Sequence, residues 1–245
     1  MIACECRVCR SSNPRNVHQR SCLVVETDTG ANIVFDTPPE FRLAAIANRV
    51  DRVDTVVITH SHADHVFGMD DLRIFNWRRK SPIPILAEDC VLDDLRRVFR
   101  YCFVGTQAAG GKPQLDLAPI APGESLNLFG VDVQAIRVMH GKLPILGYIF
   151  DRRVGYVTDV SAIPDDSMNL LRGLDVLFLD GVRREPHPTH FHLARSLEVI
   201  EQLKPKQAYL IHLSHEYDHA TVNAELPEGV ELAYDGLVID FPPGV

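Results

Sequence analysis

Thr59-His60-Ser61-His62-Ala63-Asp64-His65 sets three imidazoles and a carboxylate within six residues, directly after the β-branched run Thr55-Val56-Val57-Ile58. A lone histidine usually packs in a core or sits at a surface. Four such groups together repel one another or go unpaired unless a cation or a partner network holds them. The density therefore predicts a metal site, and the donor types suit zinc, manganese, iron or nickel without choosing among them. The run 55–59 reads as a strand that delivers His60 at its C-terminal end, so the cluster is expected on a strand-to-loop edge.

Working outward, 22–26 and 31–35 read as two strands joined by a turn at Asp28-Thr29-Gly30, and 38–48 as a helix with a proline-rich entry. Residues 89–100 carry Val91, Leu92, Leu95, Val98 and Phe99 near the helical period, which predicts an amphipathic helix with a charged opposite face. The glycine-rich stretch 105–112 reads as a mobile loop flanking the active site. Short strands are expected at 125–128, 131–138, 147–150, 154–158, 176–179, 208–211 and 237–239, with helices at 164–171 and 193–203. Strands that first run in groups and then alternate with helices fit the α/β class. The expected architecture is two sheets covered by helices, a four-layer αβ/βα sandwich, with residues 1–245 as one domain.

With 25 Lys and Arg against 33 Asp and Glu, the formal charge is −8. A surface built to neutralise many phosphates carries clustered cations instead, so no extended nucleic acid is expected and any nucleotide substrate is small. No apolar run approaches the roughly 18 to 20 residues of a membrane span, and the first residues lack the regions of a signal peptide. A soluble cytoplasmic protein is the expectation. Cys4, Cys6 and Cys9 crowd together, whereas Cys22, Cys90 and Cys102 are scattered. The crowded three have metal-binding spacing, and the scattered three read as small buried hydrophobes.

His-x-His-x-Asp-His after a hydrophobic strand is the signature of the metallo-β-lactamase superfamily, and the chain resembles that superfamily further along. Val138-Met139-His140-Gly141, Tyr156-Val157-Thr158-Asp159 and Leu210-Ile211-His212 each supply the expected residue at a strand end. The resemblance implies that His60, His62 and His140 hold one divalent ion, that Asp64, His65 and His212 hold a second, and that Asp159 bridges them, with zinc or manganese as the metals. Asp36, which ends the run Ile33-Val34-Phe35, resembles the superfamily's early aspartate. Orienting a ligand and capping a turn both fit it.

A narrower resemblance, over nearly the whole chain, is to the PhnP-type cyclic-phosphate phosphodiesterases of the carbon-phosphorus lyase pathway, which carry an extra zinc on a Cys-Cys-Cys-His pattern. It implies that Cys4, Cys6, Cys9 and His215 form a structural zinc site closed to substrate. Asp180-Gly181 after a strand belongs to the same pattern. Thr189-His190-Phe191-His192-Leu193 falls where those enzymes carry a catalytic histidine; His190 fits that place, and His192 stands where an acidic residue is expected. Those relatives begin with a strand and a glycine-rich segment ahead of the cysteines. With three residues before Cys4, the first N-terminal strand is expected to be lacking here.

The function so implied is hydrolysis of a small, in particular cyclic, phosphodiester by a dinuclear centre. A metal-bridged hydroxide attacks phosphorus, Asp64 counts among the catalytic carboxylates as well as the ligands, and His190 protonates the leaving oxygen as general acid. His187, in Pro186-His187-Pro188, reads as a solvated loop residue. The competing readings are a nuclease of the same superfamily, similar to the tRNA 3′-processing enzymes, and a non-catalytic metal-binding sensor. The chain has no evident RNA-docking arm, and its complete ligand set argues against a sensor. The expected partners are the small substrate and a second copy of the chain in a homodimer.

Overall fold

The computed structural model describes residues 1–105 and 111–241. They divide into two compact units, Met1–Gln19 with Asp132–Ile239, and Arg20–Val131 with the residues after Ile239. Among the described residues no helix is long and apolar enough to cross a membrane.

In the unit built on 20–131, β1 (Leu23–Glu26) turns at Gly30 into β2 (Asn32–Phe35). Gly30 has a φ of +72°, a left-handed conformation that suits glycine, and its N–H donates to Thr27 O at 2.8 Å. There follow α1 (Phe41–Ala47), β3 (Thr55–Val57), α2 (Ala63–Val66), α3 (Arg73–Arg79), β4 (Ile83–Ala87), α4 (Asp89–Val98), α5 (Arg100–Phe103), β5 (Leu115–Pro119) and β6 (Ser125–Leu128). The first sheet runs β1-β2-β3-β4-β5, antiparallel between β1 and β2 and parallel thereafter. Parallel strands are covered on both faces, which is why β3 is buried at every position. Val34, Val56, Ile58, Ile83 and Ile85 pack with Phe41 of α1 and with Leu92 and Leu95 of α4. Burying each such side chain contributes about 1.5–3 kcal/mol.

In the other unit, β7 (Val131–His140), β8 (Leu143–Phe150) and β9 (Val154–Val157) form an antiparallel meander. After α6 (Asp165–Leu170) come β10 (Val176–Asp180), α7 (Leu193–Leu203), β11 (Gln207–Ile211), α8 (His219–Asn223) and β12 (Val230–Leu232). Strands β9, β10, β11 and β12 lie side by side and parallel. Ile149, Val157, Leu177, Leu179 and Leu210 join Val199 and Leu203 of α7 in one core.

The expected strand at 237–239 does not form. Val230 and Leu232 are buried and pair with β11 as its outer neighbour, whereas Val238 is 78% exposed and Leu237 N–H closes a turn onto Tyr234 O. Strands β4 and β5 and helix α3 were not expected. On α4 the buried stripe is Val91, Leu92 and Leu95; Val98 is half exposed instead of joining them. Most of the expected loop 105–112 lies outside the described residues.

Candidate metal centres

Strand β3 ends at Val57, Ile58 N–H still donates to Leu86 O at 2.8 Å, and the chain then leaves the sheet at Thr59. Open α/β sheets present ligand sites at the carboxyl ends of their strands, and that is where this cluster lies. The His60 ring sits 4.5 Å from that of His62 and 4.3 Å from that of His65. Short helix α2 carries Asp64 and His65, with His65 Nε2 3.8 Å from Asp64 Oδ2.

Asp36, at the end of β2, organises the group. Its wholly buried carboxylate accepts Thr59 N–H at 2.9 Å, the Thr59 hydroxyl, and His65 Nδ1–H at 2.8 Å. Because the Thr59 hydroxyl proton points to Asp36, its oxygen is left to accept His60 Nδ1–H at 3.0 Å. Both rings are thereby fixed with Nε2 as the lone-pair nitrogen, the form that ligates a metal. Ser61 Oγ donates to Asp94 Oδ2 on α4 at 2.7 Å and ties down the link between His60 and His62.

The second cluster belongs to the other unit and again sits at strand ends. Buried His140 closes β7 and donates Nδ1–H to Thr189 O at 2.8 Å, which leaves its Nε2 as the lone-pair nitrogen. Gly141 lets that loop approach: a Cβ there would meet Thr189 Cγ2 at 2.9 Å. Asp159 follows β9, takes the Thr158 hydroxyl at 2.6 Å, and lies 3.4 Å from Nε2 of His212, which follows β11. Asp180, the last residue of β10, is fully buried; its Oδ2 accepts His190 Nδ1–H and Val160 N–H, both at 2.9 Å. Burial pushes the Asp180 carboxyl up, while the His190 hydrogen bond pulls it down. His190 Nε2 stands 3.9 Å from Asp159 Oδ2. Donor atoms of His140, Asp159 and His190 all lie within 4.8 Å of one another.

Asp36, Asp159 and His212 have φ values of +59°, +54° and +59°. A side chain in this left-handed region costs about 1–2 kcal/mol, and such strain gathers at functional sites.

Cys4, Cys6, Cys9 and His215 come together within one unit, with donor atoms within 4.8 Å of one another. His215 Nδ1 is 3.5 Å from Cys4 Sγ and 3.4 Å from Cys6 Sγ. A tetrahedron with Zn–S of about 2.3 Å and Zn–N of about 2.0 Å has edges of about 3.5–3.8 Å, so the donors fit zinc. The hydrogen bond to His215, then that from Cys9 N–H, draws the Cys6 thiol down to about 6. No cysteine is in a disulfide. Of the scattered three, Cys22 and Cys102 are half-buried, but Cys90 is exposed on α4, where the helix turns its charged face outward.

Three contributors were not expected from the sequence as parts of the site. Thr59 relays Asp36 to His60, and Asp94 reaches Ser61 from a helix more than thirty residues on. His187 is no solvated loop residue: it is half-buried, its ring packs 4.9 Å from that of His190, and burial followed by the positive field of His190 lowers its pKa. His192 serves as the N-cap of α7 without a side-chain capping bond.

Residues 31–213 match the beta-lactamase superfamily domain. The structure is similar to that of a diphosphatase from the PhnP family, with 39% identity and a TM-score of 0.89, covering 97% of this chain and 89% of that one. A Porphyromonas gingivalis protein named octanoyltransferase is 36% identical over 241 residues; they make up 96% of this chain and 48% of that one, so the chain spans about half the length of this relative. The anti-Pycsar protein Apyc1 of Paenibacillus harenae is 26% identical over 175 residues, 68% of this chain and 70% of that one. With its two helix-flanked sheets and its clusters at strand ends, the chain belongs to the metallo-β-lactamase superfamily and has that α/β fold, and within the superfamily it is a member of the PhnP family.

Proposed function

We propose that this chain is a dinuclear metal-dependent phosphodiesterase acting on a small phosphodiester, cyclic ones included. The observation that carries the reading is the common state of three rings: Nδ1 of His60, His65 and His140 is engaged by Thr59, Asp36 and Thr189, so each offers Nε2 to a metal. With His62, Asp64, His212 and Asp159 these are the residues that the superfamily resemblance assigns to two metal ions, and their donor types suit zinc or manganese. When bound, two such ions supply Lewis acidity at phosphoryl oxygens and a water acidified to near neutral pH. The superfamily match over 31–213 runs through both units, which supports reading the chain as one domain.

The protein's own acid is His190. Asp180 accepts its Nδ1–H and so leaves Nε2 as the nitrogen that delivers a proton to the leaving oxygen. The neutral ring that remains keeps its bond to Asp180. Cys4, Cys6, Cys9 and His215 would hold a structural zinc, since thiolates favour that ion and the site has no open position.

Cleavage of a phosphoanhydride is a second reading, favoured by the PhnP-family relative named a diphosphatase. Octanoyl transfer is the name of a protein of which this chain spans 48%, and the donor set here suits activation of water. The test is metal analysis with a substrate screen. Metal-loaded protein should contain two catalytic ions and one zinc, and should cleave bis-p-nitrophenyl phosphate or a ribose cyclic phosphate in preference to a nucleoside diphosphate or nitrocefin. Asp159→Ala and His212→Ala should lose metal and turnover together; unchanged metal and turnover in both would refute the assignment.

A further inference from the structure

The connection from β10 to α7 carries, besides His190, an imidazole for which the mechanism above has no use. His187 stands between Pro186 and Pro188. Pro188 restricts the backbone of His187 to extended conformations, and the two rings stiffen the chain on either side. The His187 ring meets that of His190 at 66°, edge to face, so its position is set by packing as well as by the backbone.

Two donors converge on one of its nitrogens. Thr189 N–H reaches His187 Nδ1 at 3.3 Å, and the Thr189 hydroxyl reaches the same atom at 3.2 Å. A nitrogen that accepts an N–H bond carries no proton itself, so the proton of the neutral ring sits on Nε2. Among the described residues no protein acceptor meets that Nε2–H. Thr189 also accepts His140 Nδ1–H on its carbonyl at 2.8 Å. One residue therefore fixes two imidazoles, a candidate metal ligand through its C=O and His187 through its N–H and hydroxyl.

We propose that His187 is a substrate-binding residue whose Nε2–H donates to an anionic phosphoryl oxygen of the bound phosphoester. A neutral donor to a charged oxygen belongs to the stronger class of hydrogen bonds. The inference rests on the phosphoester reading of the site. Its rival is that the ring only packs against His190.

Two variants separate these. His187→Phe keeps a flat ring against His190 and removes the donor, whereas His187→Gln returns an amide N–H near the former Nε2. Affinity of the metal-loaded protein for inorganic phosphate, measured by titration calorimetry, and kcat/KM on bis-p-nitrophenyl phosphate should both fall about 10- to 100-fold in the Phe variant, with metal content unchanged. The Gln variant should recover most of the loss. Equal losses in the two variants, or none in the Phe variant, overturn the donor role. Nitrogen-15 NMR of histidine-labelled protein gives an independent reading, with Nε2 protonated and Nδ1 bare; the opposite tautomer overturns the proposal as well. If the native protein binds phosphate in a His187-dependent way yet cleaves no phosphoester, the phosphodiesterase reading fails and only the donor role of His187 toward a phosphoryl oxygen stands.

Discussion

The carboxylate of Asp36 and the imidazole of His65, neither with any solvent exposure, meet at 2.8 Å through His65 Nδ1–H. The same carboxylate receives Thr59 N–H, so one side chain sets both the exit from β3 and the orientation of the His65 ring on α2. Asp36→Asn cannot accept from both partners as well. Loss of such a ligand-orienting group typically costs roughly 10- to 100-fold in metal affinity. Chelator competition should show one of the two catalytic ions weakened by about that factor, with circular dichroism unchanged. Wild-type affinity for both ions would remove Asp36 from this role.

His190→Ala should distinguish substrates by their leaving groups. A general acid contributes about 10²- to 10⁴-fold, and only where the departing oxygen needs a proton. Hydrolysis of an alkyl or cyclic ribose phosphodiester should fall by that factor, while an activated nitrophenyl diester is spared and both ions stay bound. A common loss on both substrates, or none on either, would point away from His190 and make His192 the next residue to replace.

Cys6→Ser should lower thermal stability more than chemistry. Loss of one zinc per chain and a melting temperature lower by more than about 5 °C are expected, with turnover of the nitrophenyl diester little changed. The His215 hydrogen bond holds the Cys6 thiol down to about 6. A thiol depressed on folding adds stability that is complete above the ordinary thiol range and is lost as pH falls through about 6, so the melting temperature of metal-free protein should fall as pH drops through that value. A metal-free melting temperature that stays flat from about pH 8 to about pH 5 would contradict this.

A second pH effect comes from buried His219. Its Nε2–H donates to Leu232 O at 3.2 Å, and Asn223 Nδ2 approaches its Nδ1 at 3.3 Å while Asn223 Oδ1 takes Leu232 N–H at 2.7 Å. A proton on Nδ1 would face the Asn223 amide donor, and burial already lowers the pKa. Between that lowered value and about 6.5 the unfolded chain binds more protons than the native one, so stability falls as pH drops through this window. The melting temperature of native protein should fall faster than that of His219→Gln from pH 7 to pH 5. Parallel curves would show that His219 is not the group responsible.

The donor cluster was legible because of its density: core packing seldom gathers four donors in six residues at the end of an apolar strand. Helix α7 occupies 193–203 as its periodicity predicts. Asp36 admitted two roles in the sequence, and its carboxylate takes both Thr59 N–H at the exit from β3 and Nδ1–H of the candidate ligand His65. Asp94 was illegible because its contact with Ser61 is purely tertiary and a carboxylate on a charged helix face looks like any other. The prolines around His187 announce a loop, but not the ring it packs on. Strand β12 is three residues long, too short for alternation to be told from chance, and the more apolar 237–239 drew the strand away from it.

If Asp159 and His212 hold metal as proposed, their left-handed backbone sets folding against activity. Glycine at either place would adopt the same φ without a Cβ, relieving about 1 kcal/mol while deleting a donor. In a library ranked by thermal stability of metal-free protein, these two positions should therefore enrich for glycine, and the best folders would be dead enzymes. Any campaign to harden this scaffold has to be scored with the metals present, because only then does the native residue at 159 or 212 compete.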